Sequence, residues 1–259
     1  MSSLAVGIDI GGTGIKGALV DTARGELAGE RVKVPTPDGG DPDAVLAAVA
    51  ELVDGFGDAA AGVPVGVCFP AIVRHGRTMS AANVSKRWIG LEAEALFEQV
   101  LHRDIHFVND ADAAGVAEVR FGAARGVDGL VIMTTLGTGI GSAFVYDGVL
   151  VPNTELGHLE IDGKDAEKRA AYSAKERGDL DWKKWADRLQ RFYSHVEFLF
   201  SPELFVVGGG VSKNHEDFLP LLELQTPIVP ATQRNNAGIL GAAWLAAQSG
   251  ARSGDISVV

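Results

Sequence analysis

The chain has 259 residues, 46% of them hydrophobic, and a formal net charge of −11, which argues against general nucleic-acid binding because that function favours a basic surface. Its apolar runs are shorter than the ~20 residues of a membrane span, and an apolar segment from Leu4 leaves no room for a signal peptide. One cysteine, Cys68, excludes an intrachain disulfide and a cysteine cluster for zinc, so we expect a cytoplasmic protein without membrane or nucleic-acid partners.

The first predicted element is a β-hairpin around a glycine turn. An apolar run over residues 4–10 carries one acid, Asp9, and a glycine pair beginning at Gly11 separates it from a second apolar run over residues 15–20. Backbone N–H groups in such a turn form a concave nest for phosphate oxygens, with Lys16 close enough to add a donor. Asp9 would repel phosphate directly, so a role through Mg²⁺ or an ordered water suits it better.

The following elements alternate between strands and helices, which is typical of an α/β fold. We predict, in order, a strand at 31–35, a helix at 43–56, a strand at 63–69, a polar loop at 71–90, a helix at 91–101, a strand at 105–108 and a helix at 112–121. A second hairpin at 130–145, helices at 164–172 and 182–200, a strand at 204–207 and a closing helix at 236–248 complete the chain.

The second hairpin repeats the first. Residues 12–20 align with residues 137–145, and Gly, Thr, Gly, Ile, Ala and Val recur at the same places. A repeat at this separation implies two related halves, each with a hairpin that can hold phosphate. We therefore predict two lobes with a boundary near residue 105 and a cleft between them.

Asn109 and Asp110 follow the predicted strand at 105–108 and precede a helix. On the residues alone, helix capping is the favoured explanation for such a pair. A catalytic carboxylate is the alternative, because a general base must lie within hydrogen-bond reach of the hydroxyl whose proton it accepts.

The segments DIGGTGIKG, NDADAAGVAE, ELGH and TTLGTGIGSA together resemble the ROK family of sugar kinases and repressors, and the resemblance covers residues 6–247. It implies an actin-like, ribonuclease-H-like two-lobed fold of the hexokinase type. The small lobe would be residues 1–105 and the large lobe 106–259, with the helix at 236–248 returning to the small lobe. The resemblance also suggests a homodimer, for which the apolar helix over 192–200 offers either an interface or core residues.

The resemblance assigns roles to individual residues and makes Asp110 the general base, with Asp112 left to helix capping. The implied sugar contacts are Asn83, Asn109, Asp110, Glu155, His158 and, as the nearest match to a further family glutamate, Glu167. The implied contacts to the phosphoryl donor are Asp9, Gly11, Gly12, Thr13, Lys16, Lys86, Arg87, Thr138, Gly139, Gly209 and Gly210. Most of the family carries a zinc site after the histidine, but residues 159–181 contain no cysteine, so no structural zinc is expected here.

The basic loop with Lys86 and Arg87, together with Lys16, is most similar to the members that phosphorylate glucose from inorganic polyphosphate. A second basic group, Lys183, Lys184, Arg188 and Arg191, either extends a polyphosphate track or is a solvated helix face. The glycine triplet at 208–210 resembles the family's adenosine-contacting turn, which keeps ATP open as a donor.

The expected activity is therefore transfer of the terminal phosphoryl of polyphosphate, and possibly of ATP, to the 6-hydroxyl of glucose, with Mg²⁺ on the phosphates. A strictly ATP-dependent hexose or aminosugar kinase is the alternative within the family. A sugar-responsive regulator is the alternative of another class, and it is disfavoured because the family's repressors carry an N-terminal helix-turn-helix segment, whereas here a strand is expected from Leu4.

Overall fold

The structure is a computed structural model that describes residues 3–252. The strands are β1 (Leu4–Ile10), β2 (Ile15–Asp21), β3 (Glu26–Leu27), β4 (Val32–Val34), β5 (Val65–Phe69), β6 (Val73–Arg74), β7 (Arg77–Thr78), β8 (Ile105–Asn109), β9 (Leu130–Leu136), β10 (Ile140–Tyr146), β11 (Val149–Val151), β12 (Glu160–Ile161), β13 (Lys164–Asp165), β14 (Leu204–Gly208) and β15 (Ile228–Pro230). The α-helices are α1 (Pro42–Asp54), α2 (Ala93–Leu101), α3 (Asp110–Phe121), α4 (Ala166–Ala170), α5 (Tyr172–Arg177), α6 (Trp182–Phe200) and α7 (Ala237–Arg252). Within the described residues, none of these helices combines the length and apolarity that a bilayer crossing requires.

The chain forms two compact units. The first comprises residues 3–117 together with 236–252, and the second comprises Glu118–Asn235. The division falls inside α3 and differs from the predicted boundary near residue 105, because β8 pairs with β5 and so extends the sheet of the first unit.

The sheet of the first unit has the order β3-β2-β1-β5-β8, with β4 also paired to β2. Its strands β1, β5 and β8 run parallel, and Asp9 is in register with Cys68 while Phe69 is in register with Asn109. The carboxyl ends of these three strands therefore meet at one edge of the sheet, which is where ligands bind in open α/β sheets.

The helix α7 packs on β1 and β5 at unusually short range. A Cβ atom built at Gly66 would lie 1.9 Å from the carbonyl oxygen of Ala242, and one at Gly7 would lie 2.1 Å from that of Ile239. Only glycine on the strands permits this approach, since such separations are far inside van der Waals contact. On the rest of this unit the core includes a cluster of buried rings: Phe69, Trp88, Phe97 and Phe107.

The second unit is built on a sheet of order β11-β10-β9-β14-β15, in which β9, β14 and β15 are parallel. The long helix α6 buries Trp185 and Tyr193 in the core of this unit. Burial raises the pKa of Tyr193, so its hydroxyl stays neutral and shares a hydrogen bond of 2.6 Å with Thr134 on β9. The predicted helix at 182–200 is thus present with the same bounds.

Two predicted segments differ from the structure. Residues 164–172 do not form one helix, because Lys164 and Asp165 pair with β12 and the extended backbone of Ala171 separates α4 from α5. The predicted loop at 71–90 contains the short hairpin of β6 and β7 and a 3-10 turn at Lys86–Trp88. The short strands in both segments have two residues each, which is too short a pattern to predict from sequence.

Candidate active site

The first glycine hairpin joins β1 and β2 through a turn of four residues. The amide of Gly11 donates to the carbonyl oxygen of Gly14 at 3.0 Å, which closes the turn. The hydroxyl of Thr36 donates to the carbonyl oxygen of Gly11 and supports the turn from the neighbouring loop. Thr36 was not among the predicted site residues, and its place beside the turn comes from a sequence-distant contact.

Asp9 is held at both carboxylate oxygens. The Nζ atom of Lys16 lies 2.8 Å from Oδ2, and the thiol of Cys68 donates to Oδ1 at 3.7 Å. Burial, and then the charges of Asp9 and Asp110, raise the pKa of the Cys68 thiol well above its usual range, so it remains an S–H donor. Cys68 therefore lies in the electrostatic field of both predicted site carboxylates, a role that the sequence analysis did not foresee.

Asp110 is the first residue of α3, at the carboxyl end of β8. The side chain of Asn109 caps this helix, because its Oδ1 accepts from the amides of Ala111 at 2.8 Å and Asp112 at 3.0 Å. Its Nδ2 donates to the carbonyl oxygen of Ala71 at 3.0 Å. Asn109 thus caps the helix, a role expected of Asp112, and it fixes the backbone that carries Asp110. Its sugar contact stays a prediction.

The loop with Asn83 contacts the first hairpin. A Cβ atom at Gly12 would lie 2.7 Å from the carbonyl oxygen of Asn83, so a side chain at Gly12 would displace this loop. Lys86 donates to the carbonyl oxygen of Ala81, which is a neutral partner. Arg87 instead pairs with two carboxylates at the start of α1, which raise its pKa: Asp41 and Asp43.

The second glycine hairpin joins β9 and β10 through a turn of three residues, closed by a bond of 3.0 Å from the Gly137 amide to the Gly139 carbonyl. Ser173 supports it from α5, donating its hydroxyl to the carbonyl oxygen of Thr138 at 2.6 Å. Because Gly208 pairs with Thr135, the glycine triplet follows β14 at the same edge of the sheet.

Gly209 in this triplet requires glycine. Its φ is +84°, and a Cβ atom there would lie 2.3 Å from the carbonyl oxygen of Leu136. Gly210 next to it has open space, where a ligand could approach the backbone.

The predicted sugar clamp brings Glu155, His158 and Glu167 within electrostatic range of one another. Burial raises the pKa of Glu155, the charge of His158 lowers it, and the charge of Glu167 raises it. Glu167 accepts a hydrogen bond of 3.3 Å from the amide of Ile140, and a Cβ atom at Gly157 would lie 3.2 Å from its Oε2. Glu167 therefore lies between the second hairpin and the 3-10 turn Leu156–His158, although its role as the further sugar contact stays a prediction.

The first half of the site fits a magnesium ion carried mainly by a phosphate ligand. Mg²⁺ is commonly bound by one or two carboxylates together with phosphate oxygens and waters, and Asp9 supplies one partly exposed carboxylate beside the glycine turn. Within residues 3–252, no group of three or more His, Cys, Asp and Glu side chains is arranged to hold a metal by itself. The expected absence of zinc stays a prediction.

Comparison with known proteins extends these observations. The polyphosphate glucokinase of Mycobacterium tuberculosis (strain CDC 1551 / Oshkosh) is 48% identical over 92% of this chain and 89% of its own length. The crystal structure of the inorganic polyphosphate/ATP-glucomannokinase from Arthrobacter sp. strain KM matches 95% of this chain and 99% of its own, with a TM-score of 0.90 and 56% identity.

A ROK family glucokinase from Streptomyces griseus, solved in complex with glucose and AMPPNP, shares the fold at a TM-score of 0.78 and 24% identity, over 95% of this chain and 99% of its own. The predicted fold class, the actin-like, ribonuclease-H-like α/β fold of sugar kinases, is confirmed by these neighbours. The sequence model of the ROK family matches residues 5–172, and the chain belongs to that family.

Proposed function

We infer that this chain is a glucokinase that transfers the terminal phosphoryl group of inorganic polyphosphate, and also of ATP, to the 6-hydroxyl of glucose. The similarity to polyphosphate glucokinases over 92% of the chain supports this activity. The observation that carries it is the edge of the first sheet, where Asp9 and Asp110 flank Cys68 beside a glycine turn. The Asp9 carboxylate suits a metal-bound phosphate, and the Asp110 carboxylate suits a sugar hydroxyl.

Asp110 serves as the general base in this proposal. As the 6-oxygen attacks the terminal phosphorus, its proton passes to the Asp110 carboxylate and the bond from phosphorus to the shortened donor breaks. Asn109 holds the start of α3 by three hydrogen bonds, so the carboxylate that follows it has a fixed backbone origin. Such positioning supplies much of the rate in phosphoryl transfer, since the protein forms no covalent bond itself.

The first hairpin is assigned to the reacting end of the donor. Backbone N–H groups of the turn and Lys16 neutralise phosphate charge, while Asp9 accepts from bound water or holds Mg²⁺. Bound Mg²⁺ would supply electrostatic stabilisation of the charge on the transferred phosphoryl. Lys16 would then exchange its contact with Asp9 for one with phosphate.

The clamp of Glu155, His158 and Glu167 is assigned to the sugar hydroxyls. Carboxylates accept hydrogen bonds from hydroxyls, and an imidazole can accept or donate. Burial raises the pKa of Glu155, so its charge state, and with it sugar binding, should depend on pH.

One feature supports each donor class. Lys86 has a neutral carbonyl as its partner and suits a polyanionic chain, whereas Arg87 is partly neutralised by Asp41 and Asp43. The open backbone at Gly210 suits a nucleotide, and a strictly ATP-dependent kinase is the second candidate function.

A homodimer and a cytoplasmic location belong to the same proposal. Within α6, Phe192 and Val196 are core residues, whereas Phe198 is 82% exposed at its end. The ring of Phe200 lies 4.9 Å from that of Phe144, so the end of α6 packs on β10. The edge strand β11, which pairs with β10, exposes Val149. Exposed apolar surface of this kind marks an interaction site, and a second copy of the chain is the proposed occupant.

Glucose 6-phosphate formation by the purified chain with Mg²⁺ tests the function, with long-chain polyphosphate or ATP as the only donor. We expect turnover with both. Turnover with ATP alone would establish the second candidate function, and no turnover with either donor would overturn the assignment to glucose phosphorylation.

The dimer is tested by light scattering of Phe198→Glu, with Val32→Glu as the matched control, since Val32 is also an exposed apolar residue but belongs to β4 of the first unit. We expect a monomer only for Phe198→Glu. A monomeric wild type would contradict this part of the proposal.

A further inference from the structure

Two members of the second basic group, Arg188 and Arg191, line a depression in the second unit. Two neighbouring cavities, of about 720 and 240 Å³, share Asp162, Arg169 and Arg188 in their linings. Five cations and two carboxylates line them together: Lys164, Lys168, Arg169, Arg188, Arg191, Asp162 and Asp187. This surplus of positive charge is local, because the chain as a whole carries −11.

The carboxylates around this depression neutralise only part of its positive charge. Lys168 pairs with Asp165 at 2.9 Å. Asp162 is shared by two guanidinium groups, with Arg191 at 3.0 Å and Arg169 at 3.6 Å. Arg188 donates to the carbonyl oxygen of Arg169 at 3.1 Å, which anchors it without removing its charge. Among residues 3–252, no carboxylate pairs with Lys164 or Arg188.

The depression lies on the opposite side of α4 from the second hairpin. Glu167 reaches the amide of Ile140 on that hairpin, while Arg169, two residues on, reaches Asp162. Residues two apart in a helix face away from each other, so α4, about 10 Å wide with its side chains, separates the two places. Although α4 separates the two places, Asp165 contacts a residue of each: His158 of the sugar clamp at 3.8 Å and Lys168 of the depression at 2.9 Å.

We propose that this depression is a second binding site for inorganic polyphosphate, which holds a distant part of a long donor chain through Lys164, Arg188 and the arginine pair on Asp162. A repeating polyanion matches several cations spread over one surface, and it gains affinity from each further contact. A short donor has no phosphates left to reach past α4. The inference rests on the proposed use of polyphosphate.

The test compares two double variants that remove the same number of charges. Lys164→Gln with Arg188→Gln removes two cations of the depression. Lys183→Gln with Lys184→Gln removes two cations from the first turn of α6, which line neither cavity, Lys184 being paired with Asp181. Equilibrium binding of long-chain polyphosphate and of tripolyphosphate is measured by titration calorimetry at several salt concentrations, without glucose.

For the depression variant we expect about tenfold weaker binding of the long chain and a salt dependence shallower by roughly two contacts. Tripolyphosphate affinity should stay within about twofold, and the control variant should bind both ligands like the wild type. Lys164→Arg with Arg188→Lys should bind the long chain like the wild type, because the charges remain.

Equal loss in both double variants would overturn the site, since only the overall charge would then matter. Equal loss for tripolyphosphate would also overturn it, because the depression would not select chain length. These measurements need no turnover, so they judge the second site even if the glucokinase assay fails with polyphosphate. In that case the proposed donor is wrong, and binding alone decides whether the depression is a polyanion site.

Discussion

The two glycine hairpins share a sequence pattern but differ in charge and in turn length. In the first, Ile10 pairs with Ile15 across four turn residues, whereas in the second Leu136 pairs with Ile140 across three. Asp9 pairs with Lys16 across the strands of the first hairpin, and the corresponding pair in the second hairpin is Thr135 with Gly141. Repetition has thus preserved the backbone nest and changed the chemistry around it.

The difference has a physical reason in the surroundings of each hairpin. Asp9 lies at a sheet edge with 18% of its side chain exposed, so an ion pair there keeps some solvation. Thr135, which takes the place of Asp9 in the second hairpin, is half-buried and pairs with Gly141, so a carboxylate there would lack a cation like Lys16. The first hairpin can therefore manage the changing charge of phosphoryl transfer, while the second offers neutral backbone donors and the nearby Glu167.

The largest effect should come from Asp110→Asn, which removes the proposed base beside the charged hairpin. An amide cannot accept the hydroxyl proton, so kcat should fall by roughly 10³-fold while the Kd for glucose changes little. Steady-state kinetics and calorimetry with glucose check this. A kcat near that of the wild type would remove Asp110 from the base role.

Gly12→Ala and Gly137→Ala compare the two turns directly. A Cβ atom at Gly12 would press on the backbone of Asn83, whereas one at Gly137 has no atom within 4 Å. We expect Gly12→Ala to lower kcat/KM by about 10²-fold and to lower Tm, because a small displacement of site loops is costly.

Gly137→Ala should leave Tm unchanged and act only on the KM of the donor. Differential scanning calorimetry and kinetics separate the two effects. A lower Tm for Gly137→Ala would contradict the open space seen beside this turn.

Lys16→Gln should raise the KM for polyphosphate by about tenfold, since one charge-assisted contact to phosphate is lost. A double-mutant cycle with Asp9→Asn shows whether Lys16 acts on the donor or only through Asp9. If the cation serves only to hold the carboxylate, the double variant will match Asp9→Asn alone, and a direct donor contact is excluded.

The smallest effect concerns Glu155, whose pKa is raised mainly by burial. On acidification through this raised pKa, the carboxylate gains a proton and kcat/KM for glucose should fall, starting at higher pH than for an ordinary glutamate. Burial disfavours the ionised form of Glu155, so this group lowers the free energy of unfolding as pH rises through its pKa. Glu155→Gln should therefore be at least as stable as the wild type at pH 7.

The measurement is a pH profile of kcat/KM for glucose with the wild type and with Glu155→Gln. Glu155→Gln should show a lower value with a flatter acidic limb. An unchanged acidic limb in this variant would assign that limb to another group.

Local patterns were enough to predict the two hairpins, the helix at 182–200 and the position of Asp110 after a strand, because each depends on neighbouring residues. Contacts between distant residues could not be predicted. Arg87 pairs with Asp41 at the start of α1, and the thiol of Cys68 donates to Asp9. Glu118 is fully buried and accepts a hydrogen bond of 2.7 Å from the amide of Gln233. A charged residue in a sequence is expected to be exposed to solvent, and only the fold shows which residue it pairs with.

The close packing of α7 on Gly7 and Gly66 has a consequence for the order of folding. The second unit is one continuous stretch of chain, whereas the first unit is complete only once α7, which begins at Ala237, has been synthesised. During synthesis, the inner segment can therefore complete its structure while the face of β1 and β5 that receives α7 is still bare. At Gly7 and Gly66 that face has no side chain of its own, so the earliest strands to leave the ribosome are among the last to be covered.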